Sequence, residues 1–366
     1  MPSGSGPGTT CPFTSSIPAD VAGPARFREP SPHHMSMDVE LDTVPLGRTG
    51  TTVSELAFGT WRFGRENAEG ELEIGEDRAY ELLSAYEDAG GFYIDTADVY
   101  GGGTSERWIG NWLAERDRED FVIASKIYWP TREDDPNGRG LSRKHLRRQI
   151  DGILERLGTD YVDLLYIHRW DDDTPAREFM RTLNEFVRDG KVNYLGASTL
   201  APNAWKVAKA NEIAHQEGYE PFTVAQPRYN LVDREIEGNY VEMCEDYGIG
   251  ICPWSPLGQG FLTGKYEREG EIPEDSTAAT ERFRENYLTE ENFDVLNVLE
   301  AVADEVDATP AKVALAWLEH HPQVTAPLIG ARTVEQLEEN LGAAEVELTD
   351  EQFERLAEAK EGPFEF

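Results

Sequence analysis

The chain has 366 residues, 39% hydrophobic and 10% aromatic, which is too apolar for a disordered protein and enough for one large domain or two ordinary ones. Its 34 Lys and Arg against 70 Asp and Glu leave a net charge of -36, which repels nucleic-acid phosphates and anionic lipid and argues against both as partners. No stretch reaches the ~18 apolar residues of a spanning helix, the N-terminus lacks the apolar core of a secretory signal, and Cys11, Cys244 and Cys252 show neither CxxC nor zinc-ligand spacing, so a soluble protein in a reducing cytoplasm is expected.

Eight of the 34 cations are Lys and 26 are Arg, while the acids are spread over helix faces, as at Glu335, Glu338, Glu339 and Glu345. This pattern fits a solvated surface in a high-salt (halophilic) cytoplasm, where screening within a few Å tames self-repulsion. Residues 1–36 differ from the rest: they are rich in Pro, Gly and Ser and carry only Asp20, Arg26, Arg28 and Glu29 as charges, so a disordered N-terminal tail is expected there. Met35 and Met37 are candidates for the native start, to be checked by mass spectrometry of the native protein, and 37–366 is then the folded domain.

From Val39 the pattern becomes regular. LDTVPLGRTGTTVSEL alternates around two Gly-containing turns and suggests a β-hairpin. LAFGTW is then followed by a helix over 76–89, GFYIDTA by a helix from about 105, FVIASKI by 142–157, and YVDLLYIH by 174–189. VNYLGAS precedes 203–217, FTVAQPRY precedes 233–247, GIGICPWS precedes helical segments to about 320, and VTAPLIGA precedes 333–343, with extra helix towards the C-terminus. Eight strand-like runs each followed by helix indicate parallel βαβ units, and eight close a (β/α)8 TIM barrel whose chemistry gathers at the C-terminal strand ends.

At those ends stand Asp95, Tyr100, Lys126 and His168. Each alone is ordinary: a turn cap, a packing residue, a solvated charge, a strand-end imidazole. Together they suit carbonyl reduction, which needs a proton donor for the developing alkoxide beside a hydride source. Tyr100 can give the proton, the Lys126 ammonium can lower the phenol pKa, Asp95 can keep Lys126 charged against desolvation, and His168 can orient the substrate oxygen.

These residues and their surroundings resemble the aldo-keto reductase superfamily. The motifs are GFYIDTADVYGGGTSE at 91–106, ASK at 124–126, LLYIHRWD at 164–171, WSPLGQGFLTGKY at 254–266 and IGARTVEQLEENL at 329–341, and the similarity spans about 40 to 360. The resemblance implies reversible NAD(P)H-dependent reduction of a small aldehyde or ketone, with the family tetrad at Asp95, Tyr100, Lys126 and His168. It implies an extended nicotinamide cofactor across the rim: Gly59, Thr60 and Trp61 near the nicotinamide end; Asp95, Ser198, Thr199 and Gln226 at strand ends; and Trp254, where members often have Tyr, stacked on the ring. Ser255, Leu257, Gly258, Gln259 and Lys265 would wrap the pyrophosphate, and Gly330, Ala331, Arg332, Gln336, Glu339 and Asn340 the adenosine half. Arg332 suits a 2′-phosphate, so NADPH is expected over NADH, which is still possible as an alternative. Thr199 stands where many members have Asn, and Gln336 where several NADPH-specific members have Arg.

No G-x-G-x-x-G follows the first strand, and GQGFLTGKY has Gln259 and Tyr266 where a P-loop needs Gly and Ser or Thr. No metal site is expected: His320 and His321 precede the last strand on the wrong rim, and His33 and His34 lie in the tail. A non-catalytic, redox-sensing subunit on the same fold is the rival reading; its sign would be a broken tetrad. Substrate choice falls to the loops 128–141 and 267–293, where Tyr128, Trp129 and Trp170 (with Pro130) suggest an apolar or sugar-stacking wall. Nothing in the residues specifies the oligomeric state.

Overall fold

The computed structural model describes residues 39–360 except 68, 133, 269 and 271–279. The tail with Cys11, His33 and His34, both candidate start residues, and part of the 267–293 loop lie outside the described residues. β1 (Thr43–Pro45) and β2 (Thr52–Ser54) form the antiparallel hairpin, with Thr43 opposite Ser54. The main sheet follows as β3 (Ala57–Gly59), β4 (Tyr93–Asp95), β5 (Val122–Ile127), β6 (Val162–Ile167), β7 (Val192–Ser198), β8 (Phe222–Gln226), β9 (Gly250–Ile251) and β10 (Leu328–Ile329).

All neighbours in this sheet pair in parallel, in the order β10-β3-β4-β5-β6-β7-β8-β9. Parallel bridges Ile251–Val324 and Trp254–Leu328 join the two ends, so the sheet closes on itself as a (β/α)8 barrel. β9 and β10 are much shorter than the apolar runs that announced them. Pro253 and Pro327 sit in those runs and lack the N–H a ladder needs; their carbonyls still accept from Leu328 and Ala57, each at 2.9 Å.

Helices α1 (Glu76–Asp88), α2 (Thr104–Leu113), α3 (Arg143–Leu157), α4 (Ala176–Arg188) and α5 (Ala204–Glu217) follow the first five barrel strands. α6 is Asn239–Tyr247, six residues shorter at its start than the pattern suggested, because Asn230 Oδ1 takes the backbone N–H groups of Val232 and Asp233 and Gly238 is the helix N-cap. α7 (Glu281–Tyr287), α8 (Glu290–Glu305) and α9 (Pro310–His320) lie between β9 and β10, and α10 (Val334–Leu341) and α11 (Asp350–Glu358) complete the chain. Thr280, Thr289, Thr309, Thr333 and Thr349 cap the last five through their hydroxyls.

The larger core lies between the strands' outer faces and the helices, and a smaller one fills the barrel with Tyr93, Ala124, Leu164, Tyr166, Val224 and Cys252. Leu46 and Val53 of the hairpin join that inner core, and Arg48 N donates to Gly248 O at 3.1 Å. The hairpin therefore plugs the N-terminal mouth and leaves the opposite one for ligands.

Candidate active site

Side chains alternate along a strand, so every second residue enters the barrel. Tyr93, Ala124, Tyr166 and Val224 lie in the inner core, and two residues on from each come Asp95, Lys126, His168 and Gln226, the next layer towards the C-terminal mouth. Gly196 on β7 is part of this geometry: a Cβ there would stand 2.4 Å from the Tyr166 ring. Ser198, two residues further, joins the same layer.

The Lys126 ammonium is buried and donates to the Asp95 carboxylate, to the Thr96 carbonyl at 2.8 Å and to the Tyr100 hydroxyl at 3.2 Å. The other Asp95 oxygen accepts from Gln226 Nε2 at 2.8 Å, and Gln226 Oε1 accepts from Ser198 at 3.1 Å. Ser198, Gln226, Asp95, Lys126 and Tyr100 thus form one continuous polar chain. His168 completes the group, its ring centroid 5.9 Å from that of Tyr100 in an edge-to-face contact.

Burial by itself would discharge Lys126, but Asp95 and Tyr100 outweigh it and hold the ammonium above its ordinary range. Burial raises Asp95 and the Lys126 charge lowers it; the pair remains ionic because every oxygen and proton of it is engaged. Tyr100 differs from the sequence expectation. Lys126 does pull its phenol down, but burial pushes it up by more, aided by Asp95 and Asp98, so the free protein holds Tyr100 protonated and above its usual pKa. His168 is driven well below its ordinary value by burial and by Lys126, and its Nδ1 has no hydrogen-bond partner. A neutral imidazole is therefore held at the mouth.

The remaining rim residues divide into three groups. Thr60 is buried: its hydroxyl donates to the Asp95 carbonyl at 2.9 Å and meets Ser105 Oγ at 2.7 Å, its N–H donates to the same carbonyl at 3.0 Å, and its own carbonyl accepts from Phe63 N at 3.0 Å. Gly59, at the end of β3, would place a Cβ 3.4 Å from the Ile329 carbonyl; Trp61 beside it is 47% exposed. Thr199, Ser255 and Gln259 have φ of 56°, 57° and 56°, a left-handed backbone that costs about 1–3 kcal/mol in a non-glycine residue and gathers at ligand sites. Leu257 leads into a tight turn through Gly258, Gln259 and Gly260, and Lys265 Nζ reaches back to within 3.2 Å of where a Gly260 Cβ would be. The buried Trp254 Nε1 has no partner.

After β10, Gln336 accepts from Arg332 N at 2.9 Å and Asn340 donates to Gly330 O at 3.3 Å, so both brace the segment that carries Ala331 and the Arg332 side chain. The Glu339 carboxylate accepts the hydroxyl of Thr309, the α9 cap. Among the aromatics, Trp129 meets His168 edge-on at 6.3 Å and Tyr128 packs on Trp129 at 5.2 Å. Trp170 is 7% exposed and packs edge-to-face on Phe179 of α4 at 5.2 Å, within the outer core.

Sequence reading did not anticipate the Gln226–Asp95 bond or the layer behind Lys126. There Glu106 accepts from Ser125 and from Arg156, each at 2.6 Å, and both oxygens of buried Asp98 lack partners. Glu106 and Asp98 both lie in the 91–106 motif, but only packing shows which side they face. Among the described residues no cluster of His, Cys, Asp and Glu could hold a metal, and no helix is long and apolar enough to cross a membrane. A cleft of about 620 Å³ on the N-terminal face, lined in part by Thr51, Phe92, Glu119 and Tyr161, contains none of the four titratable groups above, so chemistry is assigned to the other mouth.

A closed parallel barrel with converging polar groups at its C-terminal mouth is an enzyme scaffold. A sequence model of the aldo/keto reductase family matches residues 55–361, and the chain belongs to that family of oxidoreductases. It is 37% identical over 310 residues to a norsolorinic acid reductase of Emericella nidulans, covering 83% of this chain and 77% of the relative. It is 35% identical over 309 residues to an aryl-alcohol dehydrogenase of Pestalotiopsis microspora, with 83% and 78% covered. It is also 36% identical over 310 residues to a probable voltage-gated potassium channel subunit beta of Oryza sativa subsp. japonica, with 82% and 90% covered.

Proposed function

We propose that this protein is a cytoplasmic NADPH-dependent carbonyl reductase that converts an aldehyde or ketone to an alcohol, reversibly. The observation that carries the reading is the polar chain ending at Tyr100, with neutral His168 beside it at the open mouth. A dihydronicotinamide, when bound, supplies the hydride to the carbonyl carbon. His168 donates a hydrogen bond to the substrate oxygen and orients it. Tyr100, held protonated in the free protein, gives its proton to that oxygen as negative charge develops there. Lys126, 3.2 Å from the hydroxyl and charged, stabilises the phenolate left behind, and solvent entering through the mouth restores the proton.

The rim fits an extended dinucleotide. Support comes from the strained backbone at Thr199, Ser255 and Gln259, the turn around Gly258 and Gly260 with Lys265 against it, and the partnerless Trp254 Nε1. Trp254 would stack on the nicotinamide, with Ser198, Gln226 and Asp95 near its carboxamide and Trp61 alongside. Arg332 would meet the 2′-phosphate, so NADPH is favoured over NADH. Tyr128 and Trp129 present an aromatic wall next to His168, and the relative named an aryl-alcohol dehydrogenase makes aromatic aldehydes and ketones the first substrates to assay.

The channel-subunit relative favours a second reading, a cofactor-holding partner of another protein. Multiple turnovers of an aryl aldehyde with NADPH separate the two. In the same assay Tyr100→Phe should keep cofactor binding and lose about two or more orders of magnitude in kcat, the scale of a lost general acid. Equal turnover of variant and parent would remove Tyr100 from the mechanism.

A further inference from the structure

The loop after β3 carries two guanidiniums whose surroundings are unusual for so acidic a chain. Glu73 N donates to Arg65 O at 2.8 Å and Gly64 N to Ile74 O at 3.2 Å, so residues 73–74 lie back against 64–65 and Glu73 comes beside Arg65. The Glu73 carboxylate, with a side chain only 13% exposed, accepts from Arg62 on one oxygen and lies 3.3 Å from Arg65 Nε on the other. Arg332, some 260 residues later in the chain, reaches the same carboxylate at 4.0 Å, because β10 and β3 are neighbours in the closed barrel. Arg65 is further fixed by lying over the exposed Trp61 ring, 3.7 Å from its centroid.

Three cations therefore meet one carboxylate, so this four-residue cluster carries two positive charges more than it neutralises, although Glu66, Glu69 and Glu71 follow in the same loop of a protein of net charge -36. Like charges held together this way repel: burial and Arg332 both hold the Arg62 guanidinium below its ordinary range. An anion arriving there relieves the repulsion. A terminal phosphate monoester carries about 1.5–2 negative charges at neutral pH and offers three acceptor oxygens, whereas each phosphorus of a pyrophosphate diester bridge carries only one charge. The surplus matches the monoester.

We infer that Arg62 and Arg65, oriented by Glu73, form with Arg332 a three-guanidinium pocket for the 2′-phosphate of the cofactor. This rests on the NADPH reading above and assigns the specificity to the loop after β3 as well as to the segment after β10. Glu73 acts as a positioning residue: it sets the two guanidiniums before the phosphate arrives, so less side-chain freedom is lost on binding.

Calorimetric titration with adenosine 2′,5′-bisphosphate and adenosine 5′-monophosphate, at one fixed salt concentration, tests it without turnover. Arg65→Ala should weaken the bisphosphate about tenfold, the order of one charge-assisted hydrogen bond at a partly exposed site, and leave the monophosphate unchanged. Arg65→Lys keeps the charge without the planar fork and should lose a few-fold, again for the bisphosphate alone. Unchanged bisphosphate affinity in both variants, or equal weakening of both nucleotides, overturns the pocket. Arg332→Ala separates this from the parent reading. If it alone discriminates against the bisphosphate, the three-arginine pocket fails and the NADPH preference stands; if it too fails to discriminate, both fall.

Discussion

Lys126 and Asp95 illustrate how a charge survives inside a barrel. Removing water from either would neutralise it, yet the ammonium has three acceptors and the carboxylate both of its oxygens engaged, which is the condition under which a buried pair stays ionised. Glu319, near the end of α9, lacks that compensation. One of its oxygens has no partner, and burial, with Glu55 adding repulsion, pushes its carboxyl from 4.5 up to about 8. An acid whose folded pKa exceeds its unfolded one favours the fold in its protonated form. Its contribution is thus complete below about pH 4.5 and is lost as pH rises towards 8. Glu319→Gln should flatten the fall in Tm across that window, as thermal unfolding against pH would show; parallel curves for parent and variant would exclude a role for this group.

At the scale of elements, the barrel tolerates strands of two or three residues because neighbours on both sides and the outer helices bury them. Where two prolines thin the ladder, the bridges at Trp254 and Leu328 keep the ring closed, and this brings Trp254 to the mouth. β7 contributes through an absence: Gly196 leaves room for the Tyr166 ring, whose hydroxyl meets Tyr93 at 3.1 Å in the layer beneath Asp95 and Lys126. Gly196→Ala should therefore cost about 1–3 kcal/mol by overpacking. A denaturation midpoint equal to that of the parent protein would show that the Tyr166 ring moves aside freely.

For the molecule as a whole, the surplus of acids is the dominant electrostatic fact. Many arginines are already paired, as Arg116 is with Glu87 and Arg118 with Asp163, and the unmatched carboxylates repel one another across the surface. Added salt shortens the range of that repulsion from about 10 Å at 0.1 M to about 3 Å at 1 M, so Tm should climb through this interval. A flat or falling Tm on adding salt would mean that the surface charge does not limit stability.

The order of strands and helices was legible in the residues because burial imposes its own periods, two along a strand and about 3.6 along a helix. The polar residues of the mouth were legible for a related reason: in a parallel barrel every strand ends on the same rim, so Asp95, Lys126 and His168 had to share it once eight units were counted. What only the folded chain decided was contact between distant segments. Trp170 turned into the core because Phe179 covers it, and burial reversed the expected direction of the Tyr100 pKa. Glu73 gathered Arg62, Arg65 and Arg332 because barrel closure makes the first and last strands neighbours. Local patterning carries the period of an element, whereas burial, pKa and charge pairing depend on what lies across a gap that sequence distance does not measure.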